Sequence, residues 1–398
     1  MHRRARAKRS LKLLFVVKTL AFRGGGAERV LTTLTTALAN RGHDVAIATF
    51  DRDGAEPFFA TNPSVDVLLL GVGEVGSVST WREVLDRSRA LRRLARDRKP
   101  DVAIGFLNSA YVPLTFGLVG TGVPVIASEH IVYQHYRGRH IERLLLEMVY
   151  PVVTRITAVS DVMQQSFPSR MRRKMAVLRN PVESPERYAD IEGGATKTVL
   201  SVGRLEPQKD HATLISAFQR IANRCPEWRL KIIGEGSLRR SMQAQIDAFG
   251  LHGRIHLPGA VKQVGNEYAA AQLFVLPSRY ESFGLATAEA MAHGLPVVGF
   301  ADCPGTNELI EDGVNGLLVP GANRVEQLAD TMAELMSSPA SRRRLGEAGR
   351  ITRSADLESI VAAWEEMLSS ACSARSGSKT DGIVPSIDSS RGCEVGDD

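Results

Sequence analysis

Cysteine is scarce and unpatterned. Cys225, Cys303, Cys372 and Cys393 are the only four in 398 residues, and no two stand in C-x-x-C spacing. A zinc cage or a disulfide framework needs a more regular set of thiols, so the chain reads as one suited to a reducing compartment. Long apolar runs are missing too. Nothing approaches the ~18 uninterrupted apolar residues of a spanning helix, and no transmembrane helix is expected. Leu11 to Val17 is apolar but broken by Lys12, and Arg3, Arg4, Arg6, Lys8 and Arg9 ahead of it imitate a signal peptide. A glycine loop follows where a small-residue cleavage site belongs, so no signal peptide is expected. The dinucleotide fingerprint is also incomplete: in Gly24-Gly25-Gly26-Ala27-Glu28-Arg29, Arg29 stands where the third glycine of G-x-G-x-x-G belongs, which counts against a dinucleotide cofactor. Finally, the formal charge of +6 is not accompanied by aromatics among the basic residues or by a nucleic-acid motif. No nucleic-acid partner is expected, and an anionic membrane surface or acceptor suits the charge better.

What is present is ordinary globular material for two domains, with 43% hydrophobic residues. The chain is organised around Leu276 to Phe300, which reads as strand end, loop, helix, turn and strand. Pro277 stops one apolar run, Gly294 ends the helix, and Pro296 opens the strand Val297 to Phe300. The helix is small or apolar almost all round (Leu285, Ala286, Ala288, Ala290, Met291, Ala292), the mark of a buried helix. Glu289 nevertheless sits in its middle, and a carboxylate there is costly unless paired or used. Glu281 precedes the helix by a few residues. The two are eight residues apart, roughly 12 Å of helical rise. Between them Ser282, Phe283, Gly284 and Leu285 form a helix start whose unpaired N–H groups suit a diphosphate. The bland alternative makes Glu289 the buried partner of an arginine and Glu281 a solvated loop residue.

E-x7-E followed by A-x-x-x-G-x-P-V-V, from Glu281 to Val298, resembles the donor-site signature of retaining glycosyltransferases of family 4, which have the GT-B fold. The resemblance implies that Glu281 contacts the transferred hexose and Glu289 the ribose. It extends over most of residues 11 to 370. Gly25 to Val30 resembles the family's N-terminal glycine loop, in which Gly25 and Gly26 would approach the donor diphosphate. Gly203-Arg204 and Lys209, between a strand and a helix, resemble its pyrophosphate clamp. Two cations at such a junction can neutralise a diphosphate leaving group without a metal. Gly234, in the Gly234-Glu235-Gly236 loop, is expected beneath the nucleotide. Glu129-His130 closes a strand, where open α/β sheets bind ligands, and the resemblance gives His130 a contact to the donor sugar. Asp51-Arg52-Asp53 imitates a metal motif of the other large glycosyltransferase fold, but a turn beside Gly54 explains it, and no metal is expected.

The expected fold class is therefore α/β of the GT-B type: two Rossmann-like domains facing across a cleft, with a C-terminal helix crossing back. The first domain would run over residues 11–180, a Pro-, Glu- and Gly-rich linker over 181–196, the donor domain over 197–355, the crossover helix over 356–371 and a disordered tail over 372–398. Glu308-Leu309-Ile310 is expected to start a helix, although Pro304-Gly305-Thr306-Asn307 departs from the family's usual loop. The expected activity is metal-independent transfer of a hexosyl group, with retention, from a UDP- or GDP-sugar to a glycan or glycolipid hydroxyl, in the cytoplasm or at the inner membrane face. Rivals are a sugar-nucleotide epimerase of the same fold and a non-catalytic nucleotide-sugar binding module.

Overall fold

The computed structural model describes residues 9–21, 25–76, 79–351 and 357–375; Gly24 and the tail beyond Arg375 lie outside them. Two separate parallel sheets carry the fold. The first holds β1 (Lys12–Val16), β2 (Asp44–Thr49), β3 (Asp66–Leu69), β4 (Val102–Phe106), β5 (Val125–Ser128), β6 (Arg155–Ala158) and β7 (Met175–Val177), in the order β3-β2-β1-β4-β5-β6-β7. The second holds β8 (Lys197–Val202), β9 (Trp228–Ile233), β10 (Ile255–Gly259), β11 (Leu273–Val275), β12 (Val297–Phe300) and β13 (Leu317–Val319), in the order β10-β9-β8-β11-β12-β13. Each is a doubly wound series that reverses at its first strand. Such sheets are covered on both faces, which is why their strands read as continuous apolar runs rather than alternations. Leu13, Leu14, Phe15, Val16 and Val17 are all buried.

The covering helices of the first domain are α1 (Gly26–Asn40), α2 (Trp81–Arg98), α3 (Asn108–Leu118), α4 (His140–Val149), α5 (Asp161–Ser166) and α6 (Ser169–Arg172). Their starts follow local chemistry. Thr80 and Glu83 form a reciprocal capping box at α2, and Ser160 accepts the Met163 amide at α5. Helix α3 carries no readable period. It is apolar nearly all round, with Pro113 and Gly117 inside it, so neither amphipathicity nor the absence of breakers announces it.

The second domain is covered by α7 (His211–Ile221), α8 (Arg239–Ala248), α9 (Val264–Ala270), α10 (Leu285–Ala292), α11 (Arg324–Ser337) and α12 (Pro339–Ile351). Pro339 splits the region from Val325 to Gly349 into two helices. The helix expected to start at Glu308 does not form. The Leu309 and Ile310 amides close turns onto the Thr306 carbonyl, and the Asn315 side chain then takes the Glu311 amide at 2.8 Å and donates to the Leu309 carbonyl. Asn315 thereby intercepts the backbone groups that a helix would have used.

Helix α13 (Leu357–Arg375) leaves the second domain and packs on the first. Ile360, Val361, Trp364, Leu368 and Ala371 join the core formed by Leu13, Phe15, Leu31, Leu34 and Phe106. Arg41 and His43 both reach Glu365, at 2.7 and 3.2 Å. The helix continues to Arg375, so the first four residues of the expected disordered tail are helical. The apolar face extends into the overrun: Cys372 packs, partly buried, against the same core.

Candidate active site

In an open parallel sheet the crevice for ligands lies at the carboxyl ends of the strands, where the strand order reverses. Here those points follow β1 and β8. The loop after β1 leads to Gly25, Gly26 and the start of α1. The loop after β8 carries Gly203, Arg204 and Lys209. The segment after β11 carries Glu281 and opens α10, and β5 ends at Glu129-His130. The two domains meet over these loops. A Cβ placed on Gly26 would lie 3.7 Å from the Leu285 side chain of the second domain, and Arg29 of α1 reaches Glu289 of α10.

On the second-domain wall, the Lys209 ammonium lies 2.5 Å from Glu281 Oε1, and Ser278 Oγ donates to the same oxygen at 2.5 Å. Both ion-pair partners are largely buried. The backbone fixes this arrangement from two sides. The Arg279 amide donates to the Gln208 carbonyl at 2.9 Å, and Gln208 Nε2 donates to the Tyr280 carbonyl at 2.7 Å, so the β8 and β11 loops are tied together. The Glu281 amide donates to the Pro304 carbonyl at 2.9 Å. Gly305 follows at φ +81°, and a Cβ there would stand 2.5 Å from the Glu281 carbonyl oxygen. The Pro-Gly-Thr-Asn loop thus holds the Glu281 backbone. Arg204 is exposed, touches Gln208 at 3.4 Å and faces Glu28 and His135 of the first domain.

Glu281 is therefore an ion-pair partner rather than a solvated loop residue. Glu289 does have an arginine: Arg29 Nε and Nη1 address its two oxygens at 3.1 and 3.3 Å, and the Tyr268 hydroxyl donates to Oε2 at 2.9 Å. Burial raises the Glu289 pKa, and Arg29 and Tyr268 oppose that rise. Gly284 caps α10 at φ +83°, a left-handed conformation that glycine adopts without strain. Phe283 is buried beneath this start and Ser282 is half-buried.

Gly203 lets the aliphatic stem of Lys209 lie over the loop, 3.3 Å from where a Cβ would be. Gly234 serves the protein's own backbone: a Cβ there would meet the Gly203 carbonyl oxygen at 2.0 Å. Gly25 leaves room for the Glu28 carboxyl, which occupies the space its Cβ would fill. Glu28 is buried at the start of α1, and that burial raises its pKa.

On the first-domain wall His130 stacks on Phe106, with centroids 5.0 Å apart, and Phe106 stacks on Trp364 of α13. The His130 ring nitrogen Nε2 lies 3.0 Å from Ser128 Oγ. Burial lowers its pKa to about 4, so the imidazole is neutral at physiological pH. In the Asp51-Arg52-Asp53 turn, Asp51 is buried and accepts the Leu20 amide at 2.9 Å, and Arg52 pairs with Glu74.

Two families match successive parts of the chain: "Glycosyltransferase Family 4" over residues 24–184 and "Glycosyl transferases group 1" over residues 190–352. The chain belongs to the group 1 / family 4-type glycosyltransferases. An uncharacterized glycosyltransferase of Haemophilus influenzae is 24% identical over 86% of this chain and 96% of its own. The GalNAc-alpha-(1->4)-GalNAc-alpha-(1->3)-diNAcBac-PP-undecaprenol alpha-1,4-N-acetyl-D-galactosaminyltransferase of Campylobacter jejuni is 26% identical over 78% of this chain and 84% of its own. Among solved structures, Anabaena HepE in complex with UDP and glucose superposes with a TM-score of 0.72 at 20% identity, over 90% of this chain and all of that one. The fold of this glycosyltransferase is GT-B.

Four residues that contact the candidate site residues carry no sequence signal for that role. Ser278 and Tyr268 lack any motif, and only the tertiary contact singles them out. Glu129 is marked in the sequence only by standing next to His130. Arg29 was visible as the residue that spoils the dinucleotide fingerprint, but its partner lies 260 positions away.

Proposed function

We propose that this glycosyltransferase moves a hexosyl group from a UDP- or GDP-linked sugar to a hydroxyl of a growing lipid-linked glycan, with retention and without a metal. The observation that carries the proposal is the Lys209–Glu281 pair beside exposed Arg204 at the β8 switch point. A cation already held against the sugar-side carboxylate stands where a diphosphate would leave. Retaining glycosidases place two carboxyls about 5 Å apart, one as nucleophile. Here Glu281 and Glu289 belong to different ion pairs, one within the second domain and one across the cleft, which favours a same-face route instead. The acceptor oxygen bonds to the anomeric carbon as the bond to the diphosphate oxygen breaks, and that departing oxygen takes the acceptor proton. Arg204 and Lys209 stabilise the charge left on the diphosphate. Glu281 and neutral His130 orient the sugar, and Glu289 the ribose. UDP in the HepE complex and undecaprenol in the Campylobacter name support the donor and acceptor classes.

An anionic membrane surface belongs to the same reading. Ile141, Leu144, Met148 and Val152 recur at spacings of three and four along α4 and its end, and all are exposed, Ile141 by 63%. Exposed Arg139, Arg143 and Arg170 border the same helix, where Glu142 and Glu147 partly neutralise their charge, and Arg137, Arg172 and Arg173 are exposed close by in sequence. An apolar stripe with a basic border suits a bilayer interface. Among the described residues no helix is long and apolar enough to cross a membrane.

Calorimetry with UDP and GDP in the absence of metal, on wild type and Lys209→Ala, tests the donor site. Binding of one nucleotide that is lost in the variant supports it; binding of neither overturns it. A panel of UDP-glucose, UDP-galactose, UDP-N-acetylglucosamine and GDP-mannose then reads nucleotide release. Binding with no release under any acceptor would make the protein a binding module, and donor conversion without acceptor an epimerase.

A further inference from the structure

The carboxylate of Glu129 is completely buried and accepts five hydrogen bonds. The hydroxyls of Tyr111, Tyr136 and Tyr150 converge on Oε2 at 2.5, 3.2 and 3.3 Å. The amides of His130 and Ile131 donate to Oε1 at 3.0 and 3.1 Å. All five partners can donate to it; burial raises its pKa and these hydrogen bonds oppose that rise. A buried charge is costly unless fully satisfied.

The location indicates what the carboxyl group does. Tyr111 belongs to α3, Tyr136 to the short turn after β5, and Tyr150 ends α4. The two amides belong to the turn that carries His130. One carboxylate therefore ties the His130 turn to the helix that bears the exposed apolar stripe. The imidazole itself is held elsewhere, by Ser128 and the face of Phe106.

We propose that Glu129 is a positioning residue for sugar transfer: it fixes the backbone turn that presents His130 to the cleft and makes that turn rigid with α4. The proposal rests on the role given to His130 above, and the test separates the two. It compares wild type, Glu129→Gln, His130→Ala and the double variant by nucleotide release from whichever panel donor reacts. Glu129→Gln should lower kcat on the order of tenfold and leave the donor KM within about twofold. The double variant should be no slower than His130→Ala alone, because nothing remains to be positioned. In 15N-histidine spectra of Glu129→Gln, the His130 ring should titrate closer to pH 6.5 than in wild type. Tyr136→Phe and Tyr150→Phe each delete one hydroxyl and leave the carboxylate in place. They should show the same non-additivity at about threefold, and they replace Glu129→Gln if that variant does not fold. Losses that multiply in the double variant, or a His130 ring signature unchanged by these substitutions, would overturn the positioning role while leaving His130 in the site. Wild-type turnover in His130→Ala would remove the His130 assignment and the proposal with it.

Discussion

Arg29 and Glu289 form a bidentate pair between the two domains, and replacing Arg29 by Met tests how far that pair holds the cleft. The substitution keeps most of the stem and removes the charge, leaving Glu289 with Tyr268 alone. Removing one partner of a fully buried ion pair costs about 3–5 kcal/mol. The Arg29 side chain is 27% exposed and that of Glu289 10%, so solvent screens part of the interaction and about 1–3 kcal/mol is expected. For a domain of this size each kcal/mol shifts Tm by about 2–4 °C, giving a drop of roughly 2–12 °C. The sign of the pH dependence follows from Glu289. Its folded pKa is already raised by burial, and loss of the guanidinium raises it further. A group with a raised folded pKa contributes stability that is present below its unfolded pKa and lost as pH rises through the folded value. The deficit of Arg29→Met should therefore be small near pH 4.5 and grow toward pH 8. Scanning calorimetry at both pH values measures it, and adding Glu289→Gln should recover most of the loss at pH 8. An equal deficit at both pH values, or no recovery in the double variant, would refute the account.

Other substitutions probe separate features. His211 is buried at the start of α7 with its Nε2 unpartnered, and burial lowers its pKa to about 3. Its contribution is complete above pH 6.5 and lost as pH falls toward 3, roughly 3 kcal/mol at pH 4; His211→Gln should flatten the Tm profile over that window. Gly305→Ala forces a side chain onto the Glu281 carbonyl at φ +81°. It should destabilise by about 1–3 kcal/mol and lower nucleotide release at least tenfold at temperatures where the fold is intact by circular dichroism. Trp364→Ala opens a cavity beneath Phe106 and should cost about 3–5 kcal/mol by urea unfolding. Replacing Ile141 and Leu144 by Asp should abolish co-sedimentation with phosphatidylglycerol vesicles while leaving UDP or GDP binding unchanged.

Much of the architecture was legible because parallel sheets leave a strong local record. Apolar runs such as Leu11–Val17 and Val297–Phe300 locate strands within a residue or two. The chain from Lys12 to Val319 repeats that record in two series. Where no period exists, as in α3 with its uniform apolarity, the sequence carries no helix signal. Where a side chain intercepts the backbone, as Asn315 does at Leu309 and Glu311, a locally plausible helix does not form. The C-terminal limit at residue 371 falls four residues short because Cys372 to Arg375 has little apolar surface, and only the tertiary structure shows the helix continuing through it.

The candidate site divides along the same line. Glu289, Arg204, Lys209 and His130 stand out in the sequence because each breaks a local rule: a charge in a buried helix, cations flanking a tight turn, a histidine at a strand end; Glu281 stands out only through the family resemblance of its spacing to Glu289. Their pairing is not written locally. That Lys209 meets Glu281, that Arg29 crosses to Glu289, and that three tyrosines close around Glu129 all depend on contacts over long separations. Position in the chain carries no information about such contacts until the sheets have brought the loops together. The sequence by itself determined which residues are costly enough to need a reason; only the tertiary structure decided which partner supplies it, because a buried charge is stabilised by whatever the fold places within about 3 Å, not by its neighbours along the chain.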